Sequence, residues 1–227
     1  MSAATVQLEV SRVVRIPISV TGSLEGNLDV PRGATGLVVF AHGSGSSRFS
    51  PRNQFVAESF RSTGLGTLLF DLLTREEEAV DARTTELRFN IPLLADRLVR
   101  VARWLEAQPD TNHLRIGYFG SSTGGGAALV AAAQAPDSIH AVVSRGGRPD
   151  LAGAALKRVE APTLLIVGEN DLPVIELNQT AQQQMTEADV ALEIVPAASH
   201  LFEEPGALEQ VADLAQKWFS RHLATGP

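Results

Sequence analysis

Leu114-Arg-Ile-Gly-Tyr-Phe119 runs directly into Gly120-Ser121-Ser122-Thr123-Gly124, and two glycines later the chain continues as Ala127-Ala-Leu-Val-Ala-Ala-Ala-Gln134. The first segment has the composition of a buried strand and the last that of a helix. A strand turned straight into a helix forces its turning residue into a strained conformation, so the residues two positions away on either side must lack a Cβ. Only Ser122 has Gly120 and Gly124 at those places. Ser121 would need glycine at Phe119 and Thr123, and so it is out of register. The reading is a G-x-S-x-G turn that lifts the Ser122 hydroxyl above the carboxyl edge of a sheet.

Outward from this turn the chain alternates strand and helix. Val14, Ile16 and Ile18, then Leu24, Leu28 and Val30, alternate with polar or small residues on either side of Thr21-Gly22, the pattern of a hairpin. Later strands read as short continuous apolar runs: 36–41, 66–70, 114–119, 141–144, 162–167 and 191–195. Continuous runs suit parallel strands covered on both faces. Helical patterns lie between them at 51–62, 91–107, 125–134, 174–185 and 205–222. The predicted architecture is a three-layer α/β/α domain over residues 1–227, with a mostly parallel, doubly wound sheet and an N-terminal antiparallel hairpin. Residues 74–88, with Glu76-Glu77-Glu78, read as an exposed loop or a partial lid. Fewer than twenty residues separate Ser144 from Pro162, too few for a large helical cap.

Bulk composition narrows the function classes. The net charge is −7 and the pI about 5.2, which argues against a nucleic-acid binder or a polybasic membrane patch. There is no cysteine, so disulfides, thiolate metal sites and a cysteine nucleophile are excluded. The first residues carry neither a basic region nor an apolar segment, and no apolar run reaches membrane-spanning length. The expectation is a cytoplasmic protein, a monomer or homodimer, acting on a small molecule.

In a doubly wound sheet the working residues gather in loops beyond the carboxyl ends of strands. Of the five histidines, His113 and His140 precede strands and His222 ends the last helix. His42 and His200 remain. His200 follows the last strand through Pro196-Ala-Ala-Ser199, and stands where a general base completing the order serine, acid, histidine belongs. The acid should lie between Ser122 and His200. Asp171, closing Gly168-Glu169-Asn170-Asp171, is preferred, with Glu169 and Asp150 as competitors; an N-cap role is the plainer reading of Asp171.

His42-Gly43-Ser44-Gly45-Ser46 follows the first long apolar strand. Gly43 and Gly45 have the G-x-G spacing of a dinucleotide fingerprint, and Asp71 sits where a ribose-binding acid would. Arg48, however, occupies the third glycine's place. An oxyanion loop fits better, with the backbone N–H of Ser44 paired with that of Thr123 and His42 bracing the loop.

Taken together, Phe40-Ala-His42-Gly43-Ser44-Gly45, Gly120-Ser-Ser122-Thr-Gly124, Gly168-Glu-Asn-Asp171 and Ser199-His200-Leu-Phe202 resemble, in order and spacing, the α/β-hydrolases, and among them the compact dienelactone-hydrolase-like branch. The resemblance covers the chain from about Leu37 through the last helix. It implies the α/β-hydrolase fold without a large cap, a catalytic triad of Ser122, His200 and Asp171, and an oxyanion hole at Ser44 and Thr123. One departure is material: dienelactone hydrolases proper use a cysteine nucleophile, and here the position is Ser122.

These roles imply cleavage of an ester, lactone or thioester through an acyl-enzyme, with no metal or cofactor required. Acyl transfer to an alcohol or amine uses the same residues, and a catalytically idle binding module uses the same fold. Arg48, Arg52, Arg145 and Arg148 all follow strand ends in an otherwise acidic chain. They are candidates for recognising an anionic substrate. The alternative is that they pair with Glu76, Glu77, Glu78 or Asp81 to order loops.

Overall fold

The computed structural model describes residues 6–20 and 22–224. Eight strands form one sheet: β1 (Leu8–Pro17), β2 (Ser23–Pro31), β3 (Gly36–Ala41), β4 (Leu65–Phe70), β5 (Ile116–Ser121), β6 (Ile139–Arg145), β7 (Thr163–Gly168) and β8 (Val190–Val195). Their spatial order is β1-β2-β4-β3-β5-β6-β7-β8. β1 and β2 pair antiparallel with Val14 opposite Gly26, β2 joins β4 antiparallel, and every later pairing is parallel. The expected hairpin is thus present, although Thr21 of its turn lies outside the described residues.

Six α-helices cover the sheet: α1 (Pro51–Ser62), α2 (Arg75–Thr84), α3 (Ile91–Glu106), α4 (Thr123–Gln134), α5 (Leu172–Gln184) and α6 (Ala207–Leu223). Burial on both sheet faces explains the continuous apolar runs, because all six residues of β3, β4, β5 and β7 are buried. Along β3 and β5, Val38, Phe40 and Phe119 enter one core with Phe60 of α1 and Phe219 of α6. Val39, Ala41 and Tyr118 enter the other, with Leu98 of α3 and Ala128 of α4. The buried Tyr118 hydroxyl donates to the carbonyl of Leu98 at 3.0 Å, so the polar end of this side chain is satisfied inside the apolar layer.

Two segments differ from the sequence reading. The expected loop at 74–88 contains helix α2, whose N-cap Thr74 and third residue Glu77 form a reciprocal capping box. Asp81 is its one buried residue, so no apolar stripe announced it. The segment after β6 carries a 3-10 helix at Pro149–Arg158 that packs Ala152 and Leu156 into the core beside α4. There is no room in it for a cap, as expected. No helix of the described residues is long and apolar enough to cross a membrane.

Candidate active site

The turn from β5 into α4 has the geometry its glycines foretell. Ser122 has φ 51° and ψ −120°, a conformation that costs about 1–3 kcal/mol for a residue with a side chain. A Cβ on Gly124 would lie 2.2 Å from the carbonyl oxygen of Ala41, and one on Gly120 would lie 2.5 Å from the Cα of Gly125. Both places are therefore closed to any other residue. The Ser122 N–H donates to the carbonyl of Arg145 at 3.2 Å, which ties the elbow to β6. The Ser121 hydroxyl is already engaged: the residue is buried, and the hydroxyl donates to Oδ1 of Asn53 on α1 at 3.3 Å.

His200 and Asp171 are brought together from separate loops, 29 residues apart, with Nδ1 of His200 2.6 Å from Oδ2 of Asp171. Asp171 is the N-cap of α5 by position, yet its side chain makes no capping hydrogen bond. The carboxylate is committed to the imidazole instead. Its competitors are committed elsewhere. Glu169 accepts the N–H of Ala197 at 2.7 Å and so braces the loop that carries His200, while Asp150 forms a two-point pair with Arg148 at 2.7 and 2.8 Å. Ser122 and His200 line the same cavity, of about 220 Å³, together with Ser44, Asn53, Arg52 and Arg145. The side chain of His200 is 38% exposed, so water reaches it.

Across the mouth of the elbow lies the loop after β3. His42 holds it through both ring nitrogens. Nδ1 faces the carbonyl of Gly43 at 3.0 Å, which can only accept, and Nε2 faces the N–H of Leu72 at 3.1 Å, which can only donate. The ring is thereby neutral with its proton on Nδ1, and burial lowers its pKa below the usual 6.5. Arg48, the residue that broke the dinucleotide pattern, anchors the far end of the loop: its backbone N–H and guanidinium bind Asp71, and Nη2 reaches Glu25 at 2.9 Å.

The two expected oxyanion donors are in different situations. The N–H of Thr123, at the first position of α4, has no partner among the described residues. That of Ser44 is not free: it donates to the Thr123 hydroxyl at 2.9 Å. This link went unseen in the sequence because it joins residues 79 positions apart. Asn53, buried in the cavity wall, was missed for the same reason.

The four arginines also separate. Arg48 and Arg148 are spent in the ion pairs described above and stand outside the cavity that holds Ser122 and His200. Arg52 pairs with Glu203 at 3.0 Å and lines that cavity. Arg145 lines it too, is 8% exposed, and its guanidinium makes no hydrogen bond or ion pair among the described residues. Nor do these four take up the acids of residues 76–81. Glu77 binds Arg97 of α3, and Asp81 binds Arg88, each at 2.6 Å.

Comparison with known proteins agrees with this architecture. The family model described as Dienelactone hydrolase family matches residues 24–224. A crystal structure of a dienelactone hydrolase from Anabaena variabilis superposes with a TM-score of 0.92 and 59% identity, covering 96% of this chain and 99% of that one. Est1E from Butyrivibrio proteoclasticus, at 16% identity, shares the fold with a TM-score of 0.75 over 92% of this chain and 98% of its own. A Mycobacterium tuberculosis protein named "Putative phosphoribosyl transferase" is 57% identical over 216 residues, covering 95% of this chain and 46% of that protein. This chain thus spans about half the length of the curated relatives it matches. The match to the family model over residues 24–224, with the sheet order and the elbow geometry, makes the chain a member of the dienelactone hydrolase family with the α/β-hydrolase fold.

Proposed function

We propose that this hydrolase is serine-dependent and cleaves an ester, lactone or thioester of a small substrate through an acyl-enzyme on Ser122. The observation that carries this reading is the 2.6 Å bond between His200 and Asp171 in the cavity that Ser122 also lines. Asp171 fixes the proton of His200 on Nδ1, leaving Nε2 to accept the proton of Ser122 as its oxygen attacks the acyl carbonyl. The tetrahedral oxyanion takes the N–H of Thr123, and that of Ser44 as it turns from the Thr123 hydroxyl, because a charged acceptor outbids a neutral one. His200 then delivers its proton to the leaving group, and water enters to release the acid.

The exposed edge of His200 supports a second reading, transfer of the acyl group to an alcohol or amine in place of water. The transferase name of the mycobacterial relative belongs to a chain about twice as long, and phosphoribosyl transfer is displacement at a sugar carbon, a reaction distinct from acyl transfer. A cytoplasmic location remains part of the proposal, on composition alone.

Short p-nitrophenyl esters, lactones and thioesters assayed beside Ser122→Ala, with labelling by a fluorophosphonate serine probe, test the proposal. Hydrolysis and labelling should both vanish in the variant. Hydrolysis at the original rate by Ser122→Ala would overturn it.

A further inference from the structure

The oxyanion loop stands between two cavities of different size and chemistry. Gly43, Ser44, Ser46 and Ser50 border both. One cavity, about 220 Å³, holds His200, Ser122, Arg52 and Arg145. The other, about 750 Å³, lies beneath α2 and contains Thr123, an apolar wall of Leu72, Leu73, Leu94 and Phe49, and charged side chains whose two cations are already paired, Arg88 with Asp81 and Arg75 with Glu25.

Chemistry assigns the halves of a substrate to these two spaces. A general base that has taken the serine proton must return it to the leaving oxygen, so the leaving group stands beside the histidine. The cavity lined by His200 is therefore the alcohol side. Once the carbonyl oxygen occupies the donors at Ser44 and Thr123, the acyl chain is directed past them, into the larger space with its apolar wall.

The alcohol side carries an unanswered charge. Arg145 is buried to more than nine-tenths, and neither its Nε nor its Nη1 has a hydrogen-bond partner. Its nearest charged neighbour in the cavity lining is another cation, Arg52. Burial and the charge of Arg52 push its pKa down to about 10, which still leaves it a cation at neutral pH. The face of Phe202, 5.9 Å from the guanidinium carbon, is its one visible consolation. A buried guanidinium with open donors is a costly arrangement for folding alone and a matched receptor for a planar or tetrahedral anion.

We propose that the substrate is an open-chain ester joining a larger acyl group to a small anionic alcohol, whose carboxylate or phosphate is received by Arg145 with Arg52 beside it. This rests on the serine-hydrolase reading and narrows it. A small lactone, whose two halves are tethered in one ring, would use neither cavity fully.

A matched chromogenic set separates the possibilities. 4-Nitrophenyl butyrate and the butyrate ester of 5-hydroxy-2-nitrobenzoate share an acyl group and differ by a carboxylate on the leaving group; 4-nitrophenyl hemiglutarate carries its carboxylate on the acyl half. The unaltered enzyme should favour the carboxylated leaving group over the neutral one in kcat/KM by roughly tenfold or more, as suits a charge-assisted contact. Because both butyrates form one acyl-enzyme, the preference should appear in kcat/KM and in the burst rate, and not in a kcat limited by deacylation. Arg145→Gln and Arg145→Lys should shrink that ratio, the lysine less. 3-Hydroxypropionate and 2-hydroxyethyl phosphate, tested as competitive inhibitors of the unaltered enzyme, show whether the pocket takes carboxylate or phosphate more tightly, and need no variant to fold. A preference for hemiglutarate, or equal kcat/KM for the two butyrates, would overturn the proposal while leaving the serine mechanism standing. Hydrolysis that survives Ser122→Ala would instead remove the reading beneath it.

Discussion

The backbone N–H of Ser44 donates to the hydroxyl of Thr123, 79 residues further along, at 2.9 Å. One proposed oxyanion donor is thus held in place by the side chain of the residue that supplies the other. The contact orients the loop before substrate arrives, and is exchanged for the charged oxygen when the tetrahedral intermediate forms. Thr123→Val keeps the shape and removes the acceptor, leaving a part-buried N–H without a partner. The expected result is a fall in kcat of about tenfold, some 1.4 kcal/mol, with little change in KM and a small loss of thermal stability. An unchanged kcat would show that the loop needs no such tie.

The adjacent serines should behave very differently. Ser122→Ala is expected to remove on the order of 10⁶-fold in turnover, as losses of a nucleophile do. Ser121→Ala should keep most activity, since its hydroxyl is engaged by Asn53 and does not stand at the turn of the elbow. Steady-state rates of both variants on one activated ester check the assignment, and equal losses would refute it.

Asp171→Asn should leave the fold intact and lower turnover roughly 10⁴-fold, because an amide favours the wrong imidazole tautomer. Glu169→Gln and Asp150→Asn should act mainly through loop order, seen as lower melting temperatures, since their partners are Ala197 and Arg148. Circular dichroism melts beside kcat values separate the two kinds of effect. Greater loss of turnover in either of the latter variants would move the acid elsewhere.

His42 supplies a pH dependence of stability. Its pKa is lowered in the fold by burial, so the folded state binds a proton less readily than the unfolded chain. Its contribution is full above about pH 6.5, the unfolded value, and is lost as pH falls through the lower folded one. His140 and His222 are lowered in the same direction, again chiefly by burial. Melting temperature should therefore decline as the pH is taken below 6.5, and His42→Gln should flatten part of that decline. A slope unchanged by the substitution would show that the other two histidines carry it.

The elbow glycines make the strictest expectation. Gly124→Ala places a Cβ within 2.2 Å of a backbone oxygen of β3, and strand and helix must part to admit it. Severe destabilisation, read as loss of soluble protein or of a cooperative melt, should follow.

Much of this was legible because the signals were local or strictly periodic. The run 36–41 reappears unchanged as β3 and the helix at 51–62 as α1; buried strands and a Ser50-Pro51 helix start write themselves into adjacent residues. Helix α2 was not read, because the usual cue is an apolar stripe and α2 buries Asp81 alone. Its capping box, Thr74 with Glu77, was the available signal. The fates of the arginines were invisible for another reason. Arg48 meets residues 23 positions away on either side, and Arg52 meets one 151 away. Such pairings follow from topology, which a run of charges does not encode.

Helix α2 also forms a wall of the larger cavity, to which it contributes Glu78, Ala79 and Ala82, while its attachment to the body runs through Arg75–Glu25 and Glu77–Arg97, with Asp81–Arg88 tying it to the turn that follows. A wall that shares almost none of the core can be rewritten residue by residue with little penalty to the rest. Descendants of such a chain can alter the shape of that chamber while the elbow, with glycines that admit no substitute, stays fixed. Tolerance is thus split within one domain: steric necessity holds the elbow, and the wall of the larger cavity is left to a helix whose exchange costs the core little.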